Sequence, residues 1–229
     1  MSIVGTTMYQ ALFVLSIKYT SALNASLLIA MSPIFSSLLA ALHKQEKFSF
    51  KIQMGSLLSF IGAILILMMG ESNFEIGKHS FFGIIMGIVA SIAWGWYPIL
   101  AGPLMEKYSP LRVTAWSTLI GMIPFLIYCC ANFQLLVWPT DWMSWGALSY
   151  SIVFAAIFGL VIWYIGINKI GPTKVMIYMY LVPLFAVLFA KLTIGEQVNS
   201  IQVFGGVIIL LGIYVVKMDK WTNLFKFPN

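Results

Sequence analysis

Eight runs of about twenty apolar residues follow one another along this chain of 229 residues, and the short segments between them hold nearly all of its charge. The runs are 1–17, 22–42, 52–69, 81–104, 113–131, 145–167, 173–192 and 201–216. Each is long enough to cross a hydrocarbon layer roughly 30 Å thick. Water cannot serve backbone N–H and C=O groups inside that layer, so each run must close its own hydrogen bonds as a helix. The expected fold is therefore an all-α integral membrane protein of about 8 transmembrane helices. Composition agrees: hydrophobic residues make up 61% and charged residues 9%, against about 45–50% and about 25% in ordinary globular domains. The 1–17 run lacks the basic start and small-residue cleavage site of a secretory leader and reads as a span.

The second constraint is a duplication at an offset of 150 residues. Pro33 pairs with Pro183, Phe35 with Phe185, Glu46 with Glu196, Gly55 with Gly205 and Gly62 with Gly212. Prolines, glycines and a loop carboxylate recurring in register indicate a repeated structural unit rather than shared composition.

Charge then orients the spans, because cytoplasmic loops retain Lys and Arg. With the N-terminus inside, inner segments hold Lys44, Lys47, Lys51, Lys107, Arg112, Lys169, Lys174, Lys217, Lys220 and Lys226, while outer loops hold Lys18, Lys78 and Lys191; ten against three accounts for all 13. Both termini are expected in the cytoplasm, and the net charge of +6 reads as topology and contact with anionic headgroups. Nucleic acid is not an expected partner. On this orientation Glu46 lies inside and its mate Glu196 outside, which defines an inverted-topology repeat, a geometry typical of transporters.

The segment 9–67, with the run KYTSALNASLL at 18–28, the Pro33 helix and Glu46 before a glycine-bearing helix, resembles the second half of an EamA domain of the drug/metabolite transporter superfamily. From 81 to 216 the chain resembles a whole second EamA domain, with Gly195, Glu196 and Gly205 in place; the first repeat departs by having Gln45 where the second has Gly195. The resemblance implies five-helix inverted repeats around a central pathway for small metabolites, amino acids or drugs. Subtracting 150 from 81 gives −69, so a first repeat truncated by two helices is expected: 1–70 as three helices, 81–217 as five, and 218–229 as a basic cytoplasmic tail. The expected function is a multi-spanning carrier in the plasma membrane working by alternating access, with a homodimer as an expected arrangement. The competing reading is a truncated membrane protein that is non-transporting or depends on a partner.

Small residues first suggest packing. Gly83, Gly87, Ser91 and Gly95 recur every four residues on one face of their span, and Gly55, Gly62, Gly205 and Gly212 mark further close approaches. Pro33 and Pro183 each remove an intrahelical hydrogen bond and are candidate gating kinks or static ones. Polar and aromatic groups within apolar runs are the candidates for the pathway: Tyr9, Gln10, Asn24, Ser26, Trp94, Tyr97, Tyr164, Lys174 and Tyr178, with Tyr150, Trp163 and Tyr180 beside them. Trp94, Tyr150 and Trp163 equally fit interfacial anchors, and Lys174 fits a side chain snorkelling to the surface. Such a lining suits an amphipathic or aromatic solute.

Chemistry that needs more than this is not expected. His43 and His79 stand on opposite sides of the predicted membrane, Cys129 and Cys130 are adjacent in an apolar run, and no carboxylate lies mid-span, so neither a metal, a cofactor nor an enzymatic centre is read. A proton relay through a buried carboxylate is likewise not visible.

Overall fold

The computed structural model describes residues 1–68, 80–135, 138–195 and 198–224. Among these it is all-helical. A π-helical turn at Ile3–Met8 runs into α1 (Tyr9–Tyr19); α2 (Ala22–Ile29), α3 (Ser32–Leu42), α4 (Phe50–Met68), α5 (Ser80–Met105) and α6 (Pro110–Ala131) follow. After a 3₁₀ turn at Phe133–Leu135 come α7 (Trp142–Tyr150), a π-helical stretch at Ser151–Gly159, α8 (Leu160–Ile170), α9 (Pro172–Ile177), a 3₁₀ turn at Tyr178–Tyr180, α10 (Leu181–Ile194) and α11 (Ser200–Leu224). Helix α11 thus extends into the stretch read as a basic tail. Glu71, Glu75, Lys78, His79, Glu196 and Lys226 lie outside the described residues.

Among the described residues, seven helical segments are long and apolar enough to cross a membrane: Asn24–Leu42, Phe50–Met68, Phe81–Met105, Pro110–Ala131, Trp142–Ile170, Pro172–Thr193 and Ser200–Met218. The eighth expected span, 1–17, is helical as well but falls outside those seven. The helix runs on to Tyr19, and Thr6, Thr7, Gln10, Ser16 and Lys18 lower its hydropathy. It lies along α5, where Gly83 faces Tyr19 and Thr20 and Gly87 faces Ser16 and Leu28. Further along α5, a Cβ on Gly95 would come within 2.7 Å of the Ser32 carbonyl oxygen. The small-residue stripe therefore receives α1, α2 and α3 in turn, and buried Ser91 continues it.

The duplicated glycines meet in crossed pairs where α4 packs on α11. A Cβ on Gly55 would stand 2.6 Å from the Gly212 carbonyl oxygen, and one on Gly62 would stand 2.5 Å from that of Gly205. Gly55 thus touches the mate of Gly62, and Gly62 touches the mate of Gly55. Such reciprocal contacts arise when a two-fold axis relates the two surfaces. On that axis the Ser59 hydroxyl donates to the carbonyl of Ile209 at 3.2 Å, a residue and its own mate at the 150 offset. Residue numbers rise along α4 as they fall along α11, so the two halves run antiparallel, as an inverted repeat requires.

Both proline-bearing spans are interrupted. Ala30 and Met31 separate α2 from α3, with Pro33 in the first turn of α3; the Tyr178–Tyr180 turn separates α9 from α10, with Pro183 as the third residue of α10. The first turn of a helix leaves its N–H groups unpaired in any case, so proline fits there without breaking a bond. Ala30, Met31 and Tyr178 keep right-handed helical dihedrals, so the chain direction carries on through each interruption.

Elsewhere proline does orphan a carbonyl. Pro103 lies inside α5 and leaves Ile99 O without its helical donor, and the Gln45 side-chain amide fills the vacancy at 3.1 Å. Gln45 thereby latches the turn after α3 onto α5. Facing outward, α6 and α7 expose Trp116 (65%) and Trp142 (89%), which fits contact with lipid.

Candidate functional site

Trp94 is the centre of an aromatic cluster built from three helices. Tyr97, one turn along α5, stacks on it at 5.4 Å and 10°. Tyr9 of α1 approaches to 4.5 Å between ring centroids, and Trp163 of α8 to 6.3 Å. The Tyr97 and Tyr164 hydroxyls share a hydrogen bond, and their rings meet edge to face at 5.7 Å. Both tyrosines are buried. Tyr97 reaches this position because Gly5, in the N-terminal π turn, has no side chain where the Tyr97 ring lies.

The two helix interruptions converge on the same point. Trp94 Nε1–H donates to Met179 Sδ at 3.0 Å, and the Ser32 hydroxyl approaches that sulfur at 3.9 Å. Ser32 opens α3, and Met179 is the middle residue of the 3₁₀ turn between α9 and α10. One atom therefore joins the break in the first half to the break in the second. A thioether is a weak acceptor, so this arrangement leaves the indole donor easily redirected. Trp163 Nε1 is buried with no hydrogen-bond partner among the described residues. The cluster holds no charged side chain; it offers aromatic faces and surplus N–H donors.

The other sequence candidates fall elsewhere. Gln10 is exposed, next to Tyr9 on α1. Asn24 is half-buried, and its backbone N–H donates to Ser21 Oγ at 3.1 Å, capping α2; Ser26 is half-buried on the same helix. Lys174 and Tyr178 line a separate cleft against α11. Tyr150 is exposed on α7 and stacks on Phe154 at 5.0 Å, and Tyr180 is buried with Ile177 and Ile209. Met179, Ser32 and Gly5 are site residues that sequence reading did not single out. A methionine between two tyrosines carries no signature of a hydrogen-bond acceptor, and the 150 offset pairs it with Ile29, not with Ser32 or Trp94. A further cavity of about 420 Å³ near Gln45 has Glu46, Glu106 and Asn168 in its wall. Among the described residues no group of three or more His, Cys, Asp or Glu could hold a metal ion.

The profile of the EamA-like transporter family matches residues 1–68 and 81–218. An uncharacterized transporter of Archaeoglobus fulgidus is 33% identical over 214 residues, covering 92% of this chain and 72% of that protein. The uncharacterized transporter YyaM of Bacillus subtilis is 24% identical, with 97% and 74% covered. A WAT1-related protein of Arabidopsis thaliana is 26% identical, with 98% and 68% covered. One solved crystal structure superposes with a TM-score of 0.82 at 16% identity over 95% of this chain and 74% of that one, a likeness of fold.

Proposed function

Since the chain belongs to the EamA-like transporter family, we propose that this membrane transporter carries a small amphipathic solute by alternating access, with the solute held at Trp94. The supporting observation is the meeting of both helix interruptions at one sulfur beside that indole. In carriers with inverted repeats, interrupted helices at the repeat interface form the midplane site, and rocking one half against the other opens it to each side in turn. Here Ser32 and Met179 are the contact that each rocking step makes and breaks.

The solute chemistry follows from the donors. A buried N–H without a partner costs about 1–3 kcal/mol, which an acceptor on the solute offsets. Trp163 supplies that donor, and Trp94 supplies a second once it leaves Met179. The faces of Tyr9, Trp94 and Tyr97 suit a flat apolar body. The preferred cargo is thus a planar metabolite, amino acid or drug-like molecule bearing a carbonyl or carboxylate. The chain does this in the cytoplasmic membrane with both termini inside, as its Lys and Arg distribution favours.

Uptake of a panel of labelled aromatic acids, amides and amines into proteoliposomes tests the reading. We expect saturable uptake of acceptor-bearing members and its loss in Trp94→Ala. Equal uptake by Trp94→Ala and wild type sinks the assignment of the site.

A further inference from the structure

Lys174 and Lys217 stand 43 positions apart in sequence and face one cleft of about 100 Å³ between α9 and α11. Its remaining wall is Ile170, Ile177, Tyr178, Ile213 and Val216. No carboxylate lines it among the described residues, and neither lysine nor the Tyr178 hydroxyl has a hydrogen-bond or ion-pair partner there. Lys174 is half-buried, Lys217 is exposed, and Tyr178 is 45% exposed. Two lysines lining one cleft with no counter-charge there favour an anion between them.

We propose that this cleft binds the phosphate of an anionic phospholipid, bridged by Lys174 and Lys217. The surroundings select the lipid over a free anion. Four branched aliphatic side chains share the cleft with the two lysines, and the neighbouring face of α11 exposes Leu210 (52%) and Tyr214 (60%), a surface suited to acyl chains. The same two charges disfavour a headgroup that carries its own ammonium, so a zwitterionic choline lipid binds less well than a glycerol one. The Tyr178 hydroxyl adds a neutral donor to the phosphate. Because Lys174 precedes the second helix interruption and Lys217 lies on α11, the bound lipid ties the half-helix α9 to the helix on the repeat axis.

The test titrates the full chain in detergent with dihexanoyl-phosphatidylglycerol, dihexanoyl-phosphatidylcholine and sodium phosphate, counting bound molecules by native mass spectrometry. One phosphatidylglycerol is expected to bind in preference to phosphatidylcholine. A basic residue at the surface attracts an anionic lipid by an amount equal to about fivefold in affinity, so Lys217→Gln weakens binding about fivefold and Lys174→Gln/Lys217→Gln about thirtyfold. The exposed Lys217→Gln decides the matter by itself if the double variant does not fold. Unchanged phosphatidylglycerol binding in the variants, or equal binding of the two lipids, overturns the proposal. Competition by millimolar phosphate that matches phosphatidylglycerol makes the cleft a free-anion site and overturns it as well.

Discussion

Ser59 donates to the carbonyl of Ile209, its own counterpart 150 residues later, at 3.2 Å. A residue touches its own repeat mate only on the axis that relates the repeats, so this bond locates the axis between α4 and α11. The two repeats meet at this crossing.

That crossing makes a stability prediction. Alanine at Gly62 or Gly212 places its Cβ about 2.5 Å from a facing backbone oxygen, which no side-chain rotation relieves. Each substitution is expected to destabilise by about 1–3 kcal/mol, read as a lower thermal midpoint in detergent. Gly146→Ala is the control: nothing lies within 4 Å of its Cβ, and the gain in helix propensity stabilises by about 0.5–1 kcal/mol.

The Gln45 latch predicts a coupling. Gln45→Ala removes the donor to Ile99 O and costs about 1 kcal/mol. In a Pro103→Ala background residue 103 regains its N–H and can bond that carbonyl within the helix, so the same Gln45→Ala substitution costs much less. Additive effects in this double-mutant cycle would remove the latch from the account.

Trp163 separates two uses of an aromatic ring. Trp163→Phe keeps a ring beside Trp94 and loses the unpaired N–H. Affinity for acceptor-bearing solutes is expected to fall about 2–10-fold relative to analogues lacking the acceptor, a ratio that cancels the effect of the smaller ring. A uniform change across both solute sets contradicts the donor role.

Asp141 gives a pH-dependent signal outside the spans. Ser144 N–H donates to its carboxylate at 2.7 Å, and Ser144 Oγ does so at the same distance. The backbone bond first, and then the hydroxyl, hold its pKa below the ordinary value of 3.8. A lowered folded pKa means the cap is fully present above the ordinary value and is lost as pH falls through the lower folded one. The Ser144 amide resonance is therefore expected to stay constant from neutral pH down to the ordinary carboxylate range and to shift only below it; Asp141→Asn abolishes the titration.

The helices and the duplication were legible because both leave marks in composition. Lipid permits few charges in a span, and close crossings such as Gly55 with Gly212 permit only glycine. Less was legible where the determinant is tertiary. The 22–42 run is uniformly apolar through Ala30 and Met31, so its interruption was hidden until Pro33 proved to lie in a first turn. The π-helical stretch at Ser151–Gly159 merges with its flanking helices in the sequence pattern. In the sequence Lys174 and Tyr178 group with Trp94 as intramembrane polar residues, yet the 3₁₀ turn at Tyr178–Tyr180 leaves Met179 facing Trp94 while Lys174 and Tyr178 face α11. The crossed pairing of the glycines could not be read from the offset, which gives mates but not partners.

The central claim is that one site, where the helix breaks meet, opens alternately to both sides. Met179→Cys in a Cys129→Ala/Cys130→Ala background, sealed in proteoliposomes of known orientation and treated with a membrane-impermeant thiol reagent, tests it most directly. The account predicts labelling from either face, with solute slowing both reactions. Labelling from one face only, unaffected by solute, would contradict it.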